Sequence, residues 1–384
     1  MAFSNRLRAG LSGEDQADID SLRDVKNAID GRASQSGMVA TYLPRVSAER
    51  IVATQSGRSV RLIFDNEDKP SFMYRVPLGM NSGVELPGGN TPHPAFIVNG
   101  SEIREFWVGA FPASLDGGKA YSIPGVDPAA SITFDNSFNA CTSKGAGWHM
   151  MSNAEWGYIQ AWCMANGFQP RGNTNLGRAY DRVLETGTRP EAFKPGEAGG
   201  HGRTLTGSGP HTWRHNGMEF GIADLVGNVW EWCSGMRLVD GEIQIIPNND
   251  SALGLDNTVL SPHWQAILAD GSLVAPGTAD TLKLGSAEPF LRTTTDNGSI
   301  SGFTWNNVAA DVAVPDLLRQ LALFPQSGGG HIGSLWFNAS GERLPIRSGA
   351  RSSAAAAGLS AFSLNSARSN AITTTGFRLA YIDL

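Results

Sequence analysis

The chain has 384 residues with a formal net charge of −6; 46 residues are Gly and only 17% are charged. That length exceeds one ordinary core and points to two domains, or to one domain with large insertions, and Gly above the usual ~7% with charge below the usual ~25% favours turns and short strands over long surface helices. The acidic balance excludes nucleic-acid binding, which needs a concentrated basic face; no window approaches the roughly 18 apolar residues of a membrane span, and MAFSNRLRAGLSGEDQ at the N-terminus lacks the apolar stretch of a signal peptide.

Residues 12–30 read as a helix, with Glu14, Asp15 and Asp18 in its first turns, Ile19, Leu22, Val25 and Ile29 along one side and Gly31 as a stop. One narrow apolar stripe on so short a helix is marginal alone in water, so it either self-associates or packs on its own domain. Across 38–76, β-branched and polar residues alternate (VATYL, RIVAT, VRLIF, FMYRV), which predicts strands. Helices are predicted over 135–144 and 152–165. Ser152, followed three residues later by Glu155, is a capping box, and Trp156, Ile159, Trp162 and Cys163 share a core-facing side. Residues 166–222, rich in Gly, Asn and Thr, predict long ordered loops. Beyond them come short strands such as EIQIIP, Gly turns, a helix over 314–323 with Pro315 in its first turn, and an SGGG hinge at 327–330. Cys141, Cys163 and Cys233 lie far apart, with no CxxC and no His at zinc spacing, and read as buried free thiols.

Residues 224–232 read DLVGNVWEW: a tight turn at Gly227-Asn228, then two tryptophans on one side of a strand with Glu231 facing away. Together with Phe220-Gly221-Ile222-Ala223 this segment resembles the signature of the formylglycine-generating-enzyme (sulfatase-modifying factor) type of C-type lectin fold. GWHMMSNAEW at 147–156, RLPIRSG at 343–349 and GFRLA at 376–380 resemble further segments of that family in the right order. The resemblance covers about 94–384. It implies an α+β C-type lectin-like domain over 81–384, with a long insertion at about 237–342. A small N-terminal helix and β-rich region over 1–80 would precede it and serve assembly or attachment.

The oxidase of that family uses a cysteine pair in the region corresponding to 347–377, and no cysteine follows Cys233. Copper-thiolate chemistry is therefore not expected, and the chain reads as a non-enzyme. Related iron enzymes carry HxxxHxE. His211 and His215 keep the HxxxH spacing without the acidic ligand, in a stretch whose glycines and Pro210 predict a surface loop instead of the helix an i,i+4 ligand pair needs. Some members bind calcium around the GNVWEW turn, which would implicate Glu231 and carbonyls near Gly227 and Val229. One carboxylate falls short of calcium's six to eight oxygens, and no cofactor is assigned.

The family's binding members include targets of diversity-generating retroelements, among them phage tropism determinants, whose variable residues arise by replacing adenines, mostly in AAC codons. Residues 347–375 hold 8 Ala, 7 Ser and 3 Thr. Ser352, Ser353, Ser363, Ser366, Ile372 and Thr374 stand where the resemblance expects Asn, each one reachable from AAC, and Ala350 and Ala356 join them. Arg351 stands where Trp is expected, a change that adenine replacement does not produce. Composition alone would read as a disordered linker. Recurring Leu359, Phe362 and Leu364 and the closing GFRLAYI strand argue for a fixed framework with free outward positions. The expected contact residues are Ala350, Arg351, Ser352, Ser353, Ala356, Ser360, Ser363, Asn365, Ser366, Ala371, Ile372, Thr373 and Thr374. The resemblance implies a receptor-binding protein of a phage tail, or of the host cytoplasm before assembly, that recognises a protein or glycan on a bacterial surface and works as a homotrimer. A formylglycine-type oxidase and a non-viral diversified lectin-fold protein are the alternatives.

Overall fold

In the computed structural model, which describes residues 45–288, 290–326 and 328–384, the first element is a helix. The predicted helix over 12–30 and the VATYL strand lie outside the described residues. RIVAT, expected as a strand, belongs to α1 (Arg45–Gln55). Ala48 and Val52, four residues apart, fall on one helix face and are buried with Val60, Leu62 and Phe72, so helical packing overrides the β-branched composition. VRLIF and FMYRV form strands as expected, β1 (Val60–Phe64) and β2 (Pro70–Pro77).

A small hairpin, β3 (Ile97–Val98) and β4 (Ser101–Glu102), leads into β5 (Glu105–Gly109), and a second hairpin follows, β6 (Ala113–Asp116) and β7 (Lys119–Ser122). Helix α2 (Phe134–Thr142), capped by Thr133, precedes β8 (Trp148–Met150). Helix α3 (Asn153–Ala165) opens on the predicted capping box, with the Ser152 hydroxyl accepting from Glu155 N–H and the Glu155 carboxylate from Ser152 N–H. Its Trp156, Ile159 and Cys163 are core residues and Trp162 is half-buried. The C-terminal strand β21 (Leu379–Tyr381) returns between β5 and β8, giving an antiparallel sheet in the order β1-β2-β5-β21-β8. The boundary expected at residue 80 therefore cuts a continuous sheet: β1 and β2 are held by the ladder from Met73–Gly109 to Pro77–Glu105 and belong with the rest of the fold.

The larger sheet begins with β9 (Trp230–Trp232) and β10 (Met236–Val239). It continues through β11 (Glu242–Ile245), β12 (Gln265–Ile267), β13 (Leu273–Val274), β14 (Lys283–Leu284), β15 (Leu291–Arg292) and β16 (Ser299–Thr304). The helix expected over 314–323 shortens to α4 (Asp316–Gln320), with Pro315 as its N-cap. Then come β17 (Ser334–Asn338), β18 (Glu342–Arg347), β19 (Phe362–Ser366) and β20 (Thr375–Phe377). The segment between β10 and β18, expected as an insertion, leaves and returns at adjacent points, since Leu238 pairs Arg343 and Val239 pairs Glu342. It also lends a strand to the framework: β17 runs parallel to β19, so the order across this region is β9-β18-β19-β17-β16. Residues 166–222 form ordered loops with one short 3-10 turn at His211–Trp213. The described part is thus β-rich with few helices, and no helix among the described residues is long and apolar enough to cross a membrane.

Candidate functional site

The site rests on the turn at Gly227-Asn228. Gly227 has φ 76°, and a Cβ there would come within 2.2 Å of the Asn173 carbonyl oxygen, so only Gly fits. Asn228, also left-handed at φ 64°, donates its N–H to that same carbonyl at 2.7 Å. Its side chain mimics a strand neighbour for Thr204, donating to the carbonyl at 3.0 Å and accepting the N–H at 2.9 Å. The strand that follows sends Trp232 into the core, where its indole donates to the Ile132 carbonyl. Glu231 points the other way and takes both Nε and Nη2 of Arg378 at 2.8 and 2.6 Å. Arg378 then donates to the carbonyls of Gly109 and Ala223, so this buried pair ties GNVWEW, GFRLA and β5 together. Burial pushes the Glu231 carboxyl up against the opposing pull of Arg378. Both Glu231 oxygens are engaged by the guanidinium.

The histidine pair does not converge. His211 is exposed, but His215 is buried, not on a surface loop as expected. It accepts the Ile222 N–H through Nδ1 and packs edge-on against Tyr74 with Trp162 alongside, and burial pulls its pKa down to about 3. Among the described residues no three His, Cys, Asp or Glu side chains group as a metal set. Cys141, Cys163 and Cys233 are buried free thiols whose pKa burial pushes up.

Above this base, β18 ends at Arg347, fully buried. It donates to Asn153 Oδ1 at 3.2 and 2.7 Å and to the Ala322 carbonyl, and lies 3.5 Å from the centre of the Phe362 ring. Burial brings its guanidinium down to about 9. The chain then swings out through Ser348 and Gly349, with φ 94° and 102°, into a loop over 348–361. That loop is held through backbone: Arg351 N–H to the Asn228 carbonyl, Leu176 N–H to the Arg351 carbonyl, Ala354 N–H to the Thr174 carbonyl. The Trp156 indole anchors its far end at the Leu359 carbonyl, 3.1 Å. A second loop over 367–374 is fixed by Ser131 N–H to the Ile372 carbonyl and Trp230 N–H to the Thr374 carbonyl. Arg351 Nη1 closes the pair by donating to the Thr373 carbonyl at 3.1 Å, joined there by Arg203 Nη1 at 3.4 Å.

Of the expected contact residues, Ser352, Asn365, Ala371, Ile372 and Thr373 are exposed, and Arg351, Ser353, Ala356 and Thr374 are half-buried. The clasp brings Arg351 to Thr373, with Ser352, Ser353, Ile372 and Thr374 as chain neighbours. Asn365 lies on the end of β19, where its carbonyl accepts from Arg343. Four residues are not outward. Ala350 is buried and its N–H is held by the Ser353 hydroxyl, Ser360 meets His331 Nδ1 at 3.1 Å, and Ser366 is buried opposite Leu344. Ser363 is covered for a reason the sequence does not announce. In register it adjoins Trp336 of β17, and Trp336 reaches over β18 and β19 to meet Trp230 of β9 edge-to-face, ring centres 5.4 Å apart. Ser363, the register partner of Trp336, is buried. Half-buried Trp336 and buried Arg203 are thus parts of the site that sequence reasoning missed. The signal available for Trp336 was the alternation of SLWFN, whose Ser334, Trp336 and Asn338 are half-buried between buried Leu335 and Phe337.

No family model matches the chain, and no curated protein matches its sequence. Among solved structures it is similar to a Major Tropism Determinant U1 variant, at 13% identity over 82% of this chain with a TM-score of 0.29. It spans 63% of that chain's length. It is also similar to PvdO from Pseudomonas aeruginosa, at 14% identity over 83% of this chain and 97% of the other, TM-score 0.29. Agreement at this level does not fix a fold family, and the functional reading rests on the geometry above.

Proposed function

We propose that the chain is a non-catalytic receptor-binding protein that presents the loop pair 348–361 and 367–374 to a protein or glycan on a bacterial surface. The observation that carries the reading is the construction of that pair. Outward Ser352, Ile372 and Thr373, with half-buried Arg351 and Thr374, sit on loops fixed by backbone hydrogen bonds to a buried framework, so side chains can change without moving the chain. In this reading the scaffold is a C-type lectin fold of the formylglycine-generating type, and the outward residues are diversified by a retroelement. The setting is a phage tail tip, the assembly is a homotrimer, and no cofactor takes part. Small side chains make each site weak, and several copies compensate through avidity.

The test is capture of the labelled chain by a panel of bacterial cells, comparing wild type with Ser352→Tyr and Thr373→Lys. Capture is expected to change at least ~tenfold in either direction, the size of one lost or gained contact of about 1.4 kcal/mol, at an unaltered unfolding midpoint. Capture indifferent to both substitutions refutes the loop pair as the binding face. For diversification, the DNA beside the gene should hold a near-copy of its 3′ end differing mainly at adenines, next to a reverse-transcriptase gene.

A further inference from the structure

Among the expected contact residues Arg351 alone carries a charge, in a chain whose net charge is −6. Its guanidinium donates through Nη1 to the Thr373 carbonyl, and among the described residues it forms no ion pair. Two other arginines of this region have carboxylate partners. Arg203 grips Asp127 through Nε and Nη2 at 2.8 and 2.6 Å, and Arg189 donates to the carbonyls of Lys194, Glu197 and Gly199 with Glu191 at 3.5 Å. Two guanidinium groups therefore converge on one neutral oxygen, and only one has a carboxylate of its own. Burial first, then the charge of Arg203, hold the Arg351 guanidinium below its usual range, with Glu191 and Asp127 compensating in part. This spot is short of negative charge, and the remaining edge of the Arg351 fork has no partner among the described residues.

We propose that the loop pair binds an anionic polysaccharide, whose carboxylate or phosphate seats on the free edge of Arg351 beside Thr373. This deepens the receptor-binding reading and rests on it. A planar guanidinium fork matches two oxygens of either group, and the match is stronger where water is partly excluded. The surroundings favour a sugar chain over a folded protein. Ser352, Ser353, Thr373 and Thr374 offer short hydroxyl donors and acceptors of the kind that meet sugar hydroxyls, and apart from Ile372, Arg351 and Arg368, the last tied to Glu342 and Asp135, the loop pair shows no large outward side chain to fill a pocket in a protein partner.

The experiment measures binding of the full chain to immobilised polygalacturonate (carboxylate), poly(glycerol phosphate) (phosphate), dextran (neutral) and poly-glutamate (acidic polypeptide), at low and high salt. Variants are Arg351→Gln, Arg351→Lys, and Arg104→Gln as an exposed control of equal charge change. The expected result is binding to one of the two anionic sugar-based polymers that weakens with salt, falls about tenfold or more in Arg351→Gln, is intermediate in Arg351→Lys, and stays within about twofold in Arg104→Gln. Which of the two polymers binds tells the carboxylate source from the phosphate source. Equal binding to dextran, or no effect of Arg351→Gln at an unchanged melting temperature, overturns the anion site, and tighter binding to poly-glutamate overturns the polysaccharide. Cell capture with the same variants separates the two layers. Capture that responds to Ser352→Tyr but ignores Arg351→Gln leaves the binding face standing and removes only the anion, whereas capture indifferent to both removes the face.

Discussion

The framework strands and the loop pair they carry are stabilised on opposite terms. Beneath, the linking groups are charged, buried and matched: Glu231 with Arg378, and Lys144 with Asp65, at zero or near-zero side-chain exposure. Above, the loops are held mainly by backbone hydrogen bonds, and the side chains that reach beyond the loops are Arg351, whose Nη1 closes the pair on Thr373, and Arg368, which pairs with Glu342 and Asp135. A buried charge tolerates no change of partner, whereas a backbone hydrogen bond is indifferent to the side chain it passes. Side-chain substitution is thereby expected to be tolerated in the loops and not in the frame.

The comparison breaks most sharply at Arg378. Arg378→Met leaves the Glu231 carboxylate buried without its partner, and unfolding in urea is expected to lose about 3–5 kcal/mol of stability, with Glu231→Gln added to Arg378→Met recovering part of it. A loss below about 1 kcal/mol, in the range of a surface pair, would mean that the two motifs are not joined through this bridge. Next in size is Ser363→Tyr. Although Ser363 lies within the Ser-rich segment, it sits between the strands spanned by Trp230 and Trp336, and the larger ring is expected to cost about 1–3 kcal/mol as it displaces the indoles, visible as a shift in tryptophan emission. An unshifted spectrum and full stability would place Ser363 with the outward set after all.

Those two residues also show what the sequence can and cannot reveal. The framework was legible because its constraints are local: a Gly that must be Gly at 227, a capping box at 152–155, an alternation in VRLIF and FMYRV. What failed was long-range. RIVAT has strand composition, and only the partners of Ala48 and Val52 make it a helix. Ser363 and Ser352 are the same residue in the same low-complexity run, and nothing local separates them. Their difference comes from Trp336, 27 positions before Ser363, delivered by the parallel pairing of β17 with β19. His215 is misjudged for the same reason, since its burial comes from Tyr74 and Trp162 and not from its Gly-rich neighbours.

A smaller contrast appears with pH. Burial pushes the Asp65 carboxyl up, but the N–H groups of Lys69 and Glu67 and the Lys144 ammonium outweigh it and hold it at about 2, below its ordinary 3.8. A carboxyl whose folded pKa is depressed contributes stability above its unfolded pKa and loses it as pH falls through the folded value. Thermal stability should therefore drop between pH 4 and pH 2 at the β1–β2 turn that Asp65 caps, and Asp65→Asn should lower stability at pH 7 while flattening that slope. The loops 350–356 and 371–374 contain no group that titrates in this window, so their substitutions should leave the slope as it is. A slope unchanged by Asp65→Asn would assign the acid sensitivity elsewhere.

The smallest expected effect is the most telling. Ser352→Asn, Ala371→Asn and Thr373→Asn change exposed side chains whose backbone, where it is bonded, is bonded independently of them, and each should alter stability by no more than about 0.5 kcal/mol. Because the exposed side chains of the three share no partner among the described residues, the triple variant should lose no more than the sum of the singles, within about 0.5 kcal/mol. The same Ser→Asn change at Ser360 or Ser366, buried among His331 or opposite Leu344, should cost distinctly more. Equal costs in both groups would mean that the loops are as tightly packed as the frame, and a surface of that kind could not vary its residues and keep its shape.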